Sequence, residues 1–334
     1  MVRSAPREPL LFRRILKEKV WGGQRLARLL GSAPPFRGPL GETWELSDYP
    51  GEETRVRGGA WAGISLRDLM LEHGPALLGR SRTAADGRFP LLVKFIDAGD
   101  DLSVQIHPPD GPKSPTGVGK TEAWYVLDTA PDATVICGLN SGTRREQFEA
   151  EAGDARVRAH LHQIPVRSGD CVFVPAGQTH AIRGGVVLCE VQQTSDVTYR
   201  MYDWDRLGLD GKPRETHLQQ ALEVVDYSLA PGLALRARFP AESGLLTCPL
   251  AACTHFLLVA LRADAHGGLR MTDGLARIFA VTRGTGRLEP VGAGSFASVR
   301  VEFGDVALIP GGLDSVRVVG DGADGLEILE GTAL

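Results

Sequence analysis

The 334-residue chain is 43% hydrophobic, with 41 acidic against 37 basic side chains and a net charge of -4. A mildly acidic chain without a basic stripe has no general electrostatic reason to bind nucleic acid or an anionic membrane. No apolar run in the sequence is long enough to span a bilayer, and charges interrupt the apolar runs near the N-terminus, which argues against a secretory signal. We therefore expect a cytoplasmic protein that contacts neither nucleic acid nor membrane.

Short apolar runs, separated by glycine and proline, recur along the chain and indicate a mainly β protein. Helical patterns are few. The first covers residues 64–79, where Ser65 is placed to cap the helix and leucines recur on one face. A charged, amphipathic pattern, broken by Gly153, follows at 143–164, and a third covers about 214–229. We expect these segments to form a small helical insertion in a β architecture.

The stretch DLSVQIHPPD, residues 101–110, places an amide and an imidazole on one face of a strand. Gln105 and His107 are two residues apart, and Ser103 lies one step earlier on the same face. Two prolines then end the strand. The pattern indicates either a wetted surface or polar groups that converge on a ligand.

A weak internal repeat aligns SGDCVFVPAGQTHAI (168–182) with FGDVALIPGGLDSVR (303–317) without a gap. Gly-Asp, a mostly apolar run, Pro and Gly recur in both segments, which indicates two copies of one β unit. The copies differ where His180 of the first aligns with Ser315 of the second. A histidine kept only for packing would more often be replaced by another bulky group. We therefore predict that the first copy is active and the second structural.

Two segments resemble the motifs of the cupin jelly roll. Residues 169–180 have the glycine, proline and histidine spacing of the second cupin motif, which ends at His180. Residues 99–107 resemble the first motif, with Gln105 where a histidine usually stands. The glutamate that the family places after this motif is matched by Glu122, which follows a long insertion rich in proline and glycine.

Four side chains could therefore meet around one divalent ion, namely Gln105, His107, Glu122 and His180. Two neutral imidazoles, one carboxylate and one amide oxygen are compatible with Zn2+ and an open coordination position. The amide adds no charge, so the site keeps a net positive ion, which favours the polarisation of a substrate oxygen. We predict one Zn2+ per chain.

The repeat also predicts the domain organisation. We expect a catalytic cupin domain over residues 1–229, which includes the helical segments near 64–79 and 143–164. A C-terminal jelly-roll domain without metal would cover residues 230–334. The expected fold class is mainly β, with two cupin-type jelly rolls and the small helical insertion.

Six segments of the sequence form a longer, ordered pattern spread over about 200 residues. They are VWGG (20–23), GETWELS (41–47), LLVKFIDAGDDLSVQIHP (91–108), GKTEAWYVLD (119–128), VPAGQTHAI (174–182) and EVQQTSDVTYRMYDWDR (190–206). In these segments the chain resembles the type I mannose-6-phosphate isomerases (phosphomannose isomerases), in particular their short bacterial class. The similarity is much weaker past about residue 230, where the family carries a second jelly roll.

This resemblance implies that the protein interconverts mannose 6-phosphate and fructose 6-phosphate at a zinc site, with the four side chains above as ligands. Arg200 matches the active-site arginine of the family, and Lys120 matches a lysine that lines the same pocket. Lys94 matches a second pocket lysine. Ser103 and Trp21 match motif positions near the pocket.

The chemistry of aldose–ketose isomerisation is consistent with these residues. A proton moves between C2 and C1 through a cis-enediol, which needs an electrophile, a base and cations for the phosphate. Lys94, Lys120, Arg200 and Arg206 can supply phosphate contacts and stabilise developing charge. One preorganised donor on a developing oxyanion is typically worth ~3–4 kcal/mol.

Three groups remain open as the base. Glu190 shares a strand face with Gln192 and is one candidate. Lys120, with a pKa lowered by a nearby cation, is a second, and a water on zinc is a third. Arg200 would be a poor base because a guanidinium stays charged, so we assign it electrostatic stabilisation of the enediolate.

Two other classes of cupin compete with the isomerase. Two histidines and a carboxylate also make the iron site of a metal-dependent oxygenase, although Gln105 and the many cations argue against it. A non-catalytic cupin that binds sugar phosphates is the other alternative, although binding alone does not call for a metal. The expected partner is a small hexose phosphate, and the chain could act as a monomer or a homodimer.

Overall fold

A computed structural model describes residues 4–31, 38–292 and 296–334 of the chain. Strands dominate these residues, so the predicted mainly β class is confirmed. In chain order the strands are β1 (Leu10–Arg13), β2 (Ile15–Gly23), β3 (Leu40–Leu46), β4 (Arg55–Val56), β5 (Leu91–Ala98), β6 (Val104–Ile106), β7 (Glu122–Thr129), β8 (Thr134–Leu139), β9 (Leu161–Pro165), β10 (Asp170–Val174), β11 (His180–Ile182), β12 (Val186–Gln193), β13 (Tyr199–Tyr202), β14 (Ala234–Arg236), β15 (Leu245–Ala252), β16 (Phe256–Ala263), β17 (Gly268–Met271), β18 (Arg277–Glu289), β19 (Val299–Glu302), β20 (Val306–Ile309), β21 (Ser315–Gly320) and β22 (Leu326–Ala333).

Helices are short in the described residues. The α-helices are α1 (Arg25–Leu29), α2 (Leu66–Leu78), α3 (Arg145–Glu151) and α4 (Leu218–Val224), and two 3-10 helices cover Gly59–Trp61 and Ala155–His160. Within the described part of the chain, none of these helices is long and apolar enough to cross a membrane.

The chain divides into two compact units. The central unit contains the described residues of 16–43 and 94–235, and the terminal unit contains those of 1–15, 44–93 and 236–334. A single cut between residues 229 and 230, as predicted from the repeat, does not describe this grouping. The reason is that β1, near the N-terminus, pairs antiparallel with β20, so that the first residues of the chain join the sheet of the second repeat copy.

The central unit is built on two facing sheets. One has the strand order β13-β6-β11-β8-β9, and the other has the order β14-β10-β7-β12-β5-β2-β3. Apolar side chains from both sheets meet in one core, which includes Trp124, Val135, Val172 and Leu188. Removing this apolar surface from water holds the sheets together at roughly 25 cal/mol per Å2.

The two copies of the internal repeat form equivalent structures within their own units. Gly169 and Gly304 both adopt a positive φ, 88° and 87°, at the turn before β10 and β20. Each of these strands then leads through a proline-containing turn into β11 or β21, which begin at His180 and Ser315. The same backbone therefore carries a histidine in one copy and a small hydroxyl in the other.

The helix predictions are only partly right. Helix α2 lies inside the predicted 64–79, and Ser65 Oγ accepts a hydrogen bond from Asp68 N at 3.0 Å, as the predicted cap requires. The prediction of a helix over 143–164 is wrong beyond residue 151. Asp154 instead caps a 3-10 helix, and residues 161–165 form β9, which pairs with β8. The third helix covers Leu218–Val224, a shorter segment than the predicted 214–229.

Candidate active site

Three neighbouring strands bring the polar groups of the site together. Strand β6 lies between β11 and β13, and its Gln105 is the register partner of His180 on one side and of Arg200 on the other. Gln105 Nε2 lies 3.3 Å from His180 Nε2. The amide and imidazole of the DLSVQIHPPD stretch therefore converge with groups from distant parts of the sequence instead of facing solvent.

His107, Glu122 and His180 form a buried cluster whose candidate ligand atoms all lie within 4.8 Å of one another. His107 Nε2 is 3.4 Å from Glu122 Oε2, and His180 Nε2 is 3.6 Å from Glu122 Oε1. Each of the three side chains is almost completely buried, with relative exposures of 0–1%. Three of the four predicted ligands thus meet in one cluster, and the amide of Gln105 borders it.

Backbone carbonyls fix how the two imidazole rings are protonated. His107 Nδ1 lies 2.8 Å from Val197 O, and His180 Nδ1 lies 2.8 Å from Gln178 O. Because a carbonyl oxygen can only accept, each Nδ1 carries the hydrogen and each Nε2 keeps a lone pair. Burial, followed by the charge of Lys120, lowers the pKa of His107 to about 3, and burial also lowers the pKa of His180. Both rings are therefore neutral and suited to bind a metal.

The buried polar atoms of this cluster test whether a cation fits. His107 Nε2 and Glu122 Oε2 are buried and make no hydrogen bond to the described residues. Lys120 Nζ lies 3.1 Å from Glu122 Oε2 and compensates its charge, whereas His107 Nε2 keeps a lone pair with no donor among the described residues. A buried polar atom without a partner costs on the order of 1–3 kcal/mol, which favours a cation at His107 Nε2. Two imidazole nitrogens and a carboxylate oxygen suit a divalent transition-metal ion.

Gln105 presents its amide nitrogen to His180, and Ser103 Oγ donates to Gln105 Oε1 at 3.2 Å. An amide can exchange its oxygen and nitrogen by a half-turn of its terminal group. After that turn the oxygen would face the cluster as a ligand, and Ser103 Oγ would accept from the amide nitrogen. Ser103 is thus positioned to orient the fourth predicted ligand.

Two buried carboxylates surround Lys120. Its Nζ is 3.1 Å from Glu122 Oε2 and 3.8 Å from Glu190 Oε1. Burial alone would lower the pKa of Lys120, but Glu122 and Glu190 outweigh it and raise that pKa. The two carboxylates therefore oppose the lowering of the Lys120 pKa that we expected a nearby cation to cause. In turn, Lys120 and His107 overcome burial and hold the pKa of Glu122 well below its usual range.

Glu190 behaves differently from Glu122. Burial, followed by the negative charge of Glu122, raises the pKa of Glu190 to about 7. Trp124 Nε1 donates to Glu190 Oε2 at 3.0 Å, whereas Glu190 Oε1 is buried without a hydrogen bond to the described residues. The pKa values of the two carboxylates next to Lys120 are therefore shifted in opposite directions, that of Glu122 downward and that of Glu190 upward.

A pocket of about 250 Å3 opens beside these groups within the central unit. Seven of the predicted site residues line it, namely Gln105, Trp21, Lys94, Ser103, Lys120, Glu190 and Arg200. Lys94 is almost completely buried, and its Nζ lies 2.9 Å from Asp196 Oδ1 and 3.7 Å from Glu42 Oε2. The wall also contains Lys19, Lys120, Arg200 and Arg214 and the acidic Glu42, Glu190 and Asp196, so basic side chains outnumber acidic ones.

Arg206 differs from the other predicted residues because it is not among those that line this pocket. Its guanidinium is held by Asp203 at 2.9 Å and by Asp100 at 3.3 Å. Asp203 also pairs with Arg214, whose Nε donates to Asp203 Oδ2 at 2.7 Å. Arg214, eight residues after Arg206, lines the pocket, whereas Arg206 does not.

Sequence reasoning also missed Lys19 and Asp196 in the pocket wall. Lys19 directly precedes the VWGG segment that contains Trp21, and Asp196 lies inside the matched segment 190–206. The matched segments could therefore have pointed to both residues. Arg214 had no such signal, because it lies outside every matched segment.

Comparison with known proteins agrees with this geometry. Residues 10–129 match the family described as phosphomannose isomerase type I, catalytic domain. The chain is 35% identical to the mannose-6-phosphate isomerase ManA of Bacillus subtilis over 321 residues, which are 94% of this chain and 96% of the relative. The mannose-6-phosphate isomerase of Streptococcus mutans is 34% identical over 318 residues, with the same coverage of 94% and 96%.

A solved structure shows the same fold. The crystal structure of the mannose 6-phosphate isomerase from Bacillus subtilis superimposes with a TM-score of 0.84 at 27% sequence identity, and the match covers 97% of this chain and 99% of that one. The family resemblance predicted from the sequence motifs is thereby confirmed. The chain belongs to the type I phosphomannose isomerase family.

Proposed function

We propose that this protein interconverts mannose 6-phosphate and fructose 6-phosphate through a cis-enediol, with one Zn2+ held by Gln105, His107, Glu122 and His180. The observation that supports this most directly is the buried cluster of His107, Glu122 and His180 beside a pocket in which basic side chains outnumber acidic ones. The names of the relatives in Bacillus subtilis and Streptococcus mutans point to the same reaction.

The bound metal ion would supply a fixed positive charge that polarises a sugar oxygen. Every other role falls to side chains of the pocket. Lys94 and Arg200 bring two permanent positive charges to a cavity of about 250 Å3, which suits a phosphate dianion and an enediolate. Trp21, almost completely buried in the same wall, offers a rigid apolar surface to the sugar.

Proton transfer between C2 and C1 is assigned to Glu190. Its carboxylate lines the pocket, and its Oε1 is buried without a hydrogen bond to the described residues, so that this oxygen can accept and return one proton. Lys120, placed between Glu122 and Glu190, would keep its charge and stabilise the negative oxygen of the intermediate. Arg200 would do the same from the opposite side of Gln105.

We assign this chemistry to the central unit, which contains all four proposed ligands and the pocket. The second repeat copy, in the terminal unit, has Ser315 where the first has His180, and we propose that it does not hold the catalytic metal.

A coupled assay tests the proposal. Purified protein is given mannose 6-phosphate, and fructose 6-phosphate is measured before chelation, after chelation and after zinc is restored. We expect activity before chelation, no activity after chelation, and recovered activity after zinc is restored. We also expect the C2 proton to exchange with solvent. Bound hexose phosphate without proton exchange would instead identify a binding protein. Oxygen consumption with bound iron would identify an oxygenase.

A further inference from the structure

We propose that Trp124 is a positioning residue that sets which oxygen of Glu122 and of Glu190 faces the catalytic centre. This inference rests on the proposed function, since it concerns the proposed zinc ligand and the proposed base. Trp124 Nε1 lies 3.0 Å from Glu122 Oε1 and 3.0 Å from Glu190 Oε2, so one indole hydrogen is shared by two carboxylates.

Strand register explains how one side chain reaches both. Glu122 and Trp124 are two residues apart on β7 and so share a face of the sheet. Glu190 of β12 is the direct register partner of Trp124 on the neighbouring strand. Cross-strand partners have Cβ atoms ~5 Å apart, which is within reach of a long carboxylate and an indole ring.

The oxygens that Trp124 does not contact are the ones that lie next to Lys120. Glu122 Oε2 and Glu190 Oε1 are both buried without a hydrogen bond to the described residues. Both face Lys120 Nζ, at 3.1 Å and 3.8 Å. The indole therefore occupies one oxygen of each carboxylate and directs the other toward Lys120.

For Glu122 the consequence concerns metal binding. Oε2 lies 3.4 Å from His107 Nε2, whereas Oε1, which accepts from the indole, lies 3.6 Å from His180 Nε2. A hydrogen bond to the second oxygen of a ligating carboxylate fixes its orientation, and loss of such a partner typically lowers metal affinity about 10- to 100-fold. For Glu190 the same donor fixes the direction in which the proposed base accepts its proton.

Packing alone does not account for this arrangement. Trp124 is 1% exposed and lies edge-on to His180, with ring centroids 5.6 Å apart, so it also contributes to the core. A phenylalanine would keep an aromatic ring in the core but would lack the N–H donor and part of the indole volume. Trp124→Phe therefore removes the positioning bond together with some packing, and melting temperatures are needed to separate the two roles.

The test measures zinc affinity of Trp124→Phe by competition with a chromogenic chelator. We expect affinity at least tenfold weaker than in the wild type, a lower kcat and little change in KM. Trp61→Phe, at a buried tryptophan of the terminal unit, is the matched control and should keep wild-type affinity. Melting temperatures are recorded with and without zinc. A positioning role reduces the rise that zinc produces, whereas a packing role lowers both temperatures equally.

The outcomes separate the two proposals. Wild-type protein that binds no zinc would overturn the proposed metal site and this inference together. Zinc binding that is equally tight in the wild type and in Trp124→Phe would overturn the inference alone. If the variant does not fold, 15N-indole spectra of the wild type replace it. The Trp124 resonance should then shift on zinc addition and in Glu190→Ala, and an unshifted resonance in both cases would refute the inference.

Discussion

Gln105 and His180 are direct register partners across β6 and β11, and Gln105 Nε2 lies 3.3 Å from His180 Nε2. The pairing joins the end of the first cupin-like motif to the end of the second by ladder hydrogen bonds. A short stretch of backbone thus fixes two of the four proposed ligands relative to each other. The same strand pairs Gln105 with Arg200 on its other side, so a proposed metal ligand and a pocket arginine are neighbours across two strands.

Replacement of His180 should remove both metal and activity. His180→Ala deletes an Nε2 that lies 3.6 Å from Glu122 Oε1 and so removes one of the four proposed ligands. We expect bound zinc, measured by elemental analysis after gel filtration, to fall from about one per chain to near zero, with loss of isomerase activity. His266→Ala, at an exposed histidine, should change neither.

Arg200→Ala should abolish turnover while zinc stays bound. Arg200 lines the pocket but is not one of the proposed ligands, and its Nη1 donates to Glu215 O at 2.5 Å, which fixes the guanidinium. The loss of one preorganised charge on a developing oxyanion typically costs ~3–4 kcal/mol, or a kcat reduced about 100- to 1000-fold. Steady-state kinetics and zinc content are measured on the same sample. Full activity of the variant would contradict the assigned role.

The charge of the fourth ligand offers a sharper test of polarisation. Gln105→Glu places a second carboxylate against the metal, so zinc should bind at least as tightly while the net positive charge of the site falls. We expect kcat to fall about tenfold without loss of zinc. Gln105→His keeps the ligand neutral and should retain more activity than Gln105→Glu. The reverse order of the two variants would mean that site charge does not limit the reaction.

Phosphate binding can be examined at Lys94. Lys94→Met keeps the length of the side chain but leaves Asp196 and Glu42 without the ammonium that lies 2.9 Å and 3.7 Å from them. A phosphate dianion would then meet Asp196 without its nearest ammonium, although Glu42 would keep its pair with Lys19 at 3.1 Å. We expect KM for mannose 6-phosphate to rise about tenfold or more, since loss of ground-state binding appears in KM. Lys212→Met, at an exposed turn, serves as the control.

How far the sequence predicts this site depends on where each residue lies. His107, Glu122 and His180 lie in motifs whose spacing carries their chemistry, so the sequence alone is enough to identify them. Arg214 could not be identified in this way, because it reaches the pocket only through the fold of the segment after β13, which carries no motif. Trp124 lies inside a matched motif, yet the contact of its indole with Glu190 depends on the register of β7 and β12.

The domain boundary shows a similar limit. The repeat correctly indicated two equivalent β segments, one at residues 168–182 and one at 303–317. It contained no information about the N-terminal strand, because pairing between β1 and β20 joins residues almost 300 positions apart. The helix predicted over 143–164 failed for a related reason. Strand β9 forms there because β8 is available as a hydrogen-bonding neighbour, which a local pattern does not reveal.

A buried ion network in the terminal unit should contribute to stability without serving the chemistry. Glu330 is 0% exposed, and its two oxygens accept from Arg270 Nε and Nη2, each at 2.6 Å. It also pairs with the nearly buried Arg277. Glu330→Ala would leave both guanidinium groups without this carboxylate, and the loss of one partner of a buried ion pair typically costs about 3–5 kcal/mol. Chemical denaturation should show that loss, while the folded fraction keeps its zinc content and its kcat, because none of the proposed ligands belongs to this unit.

The smaller change Arg262→Ala, which removes a half-exposed pair with Glu327, should cost about 1 kcal/mol or less. Equal effects of the two substitutions would show that burial does not set the strength of the Glu330 network.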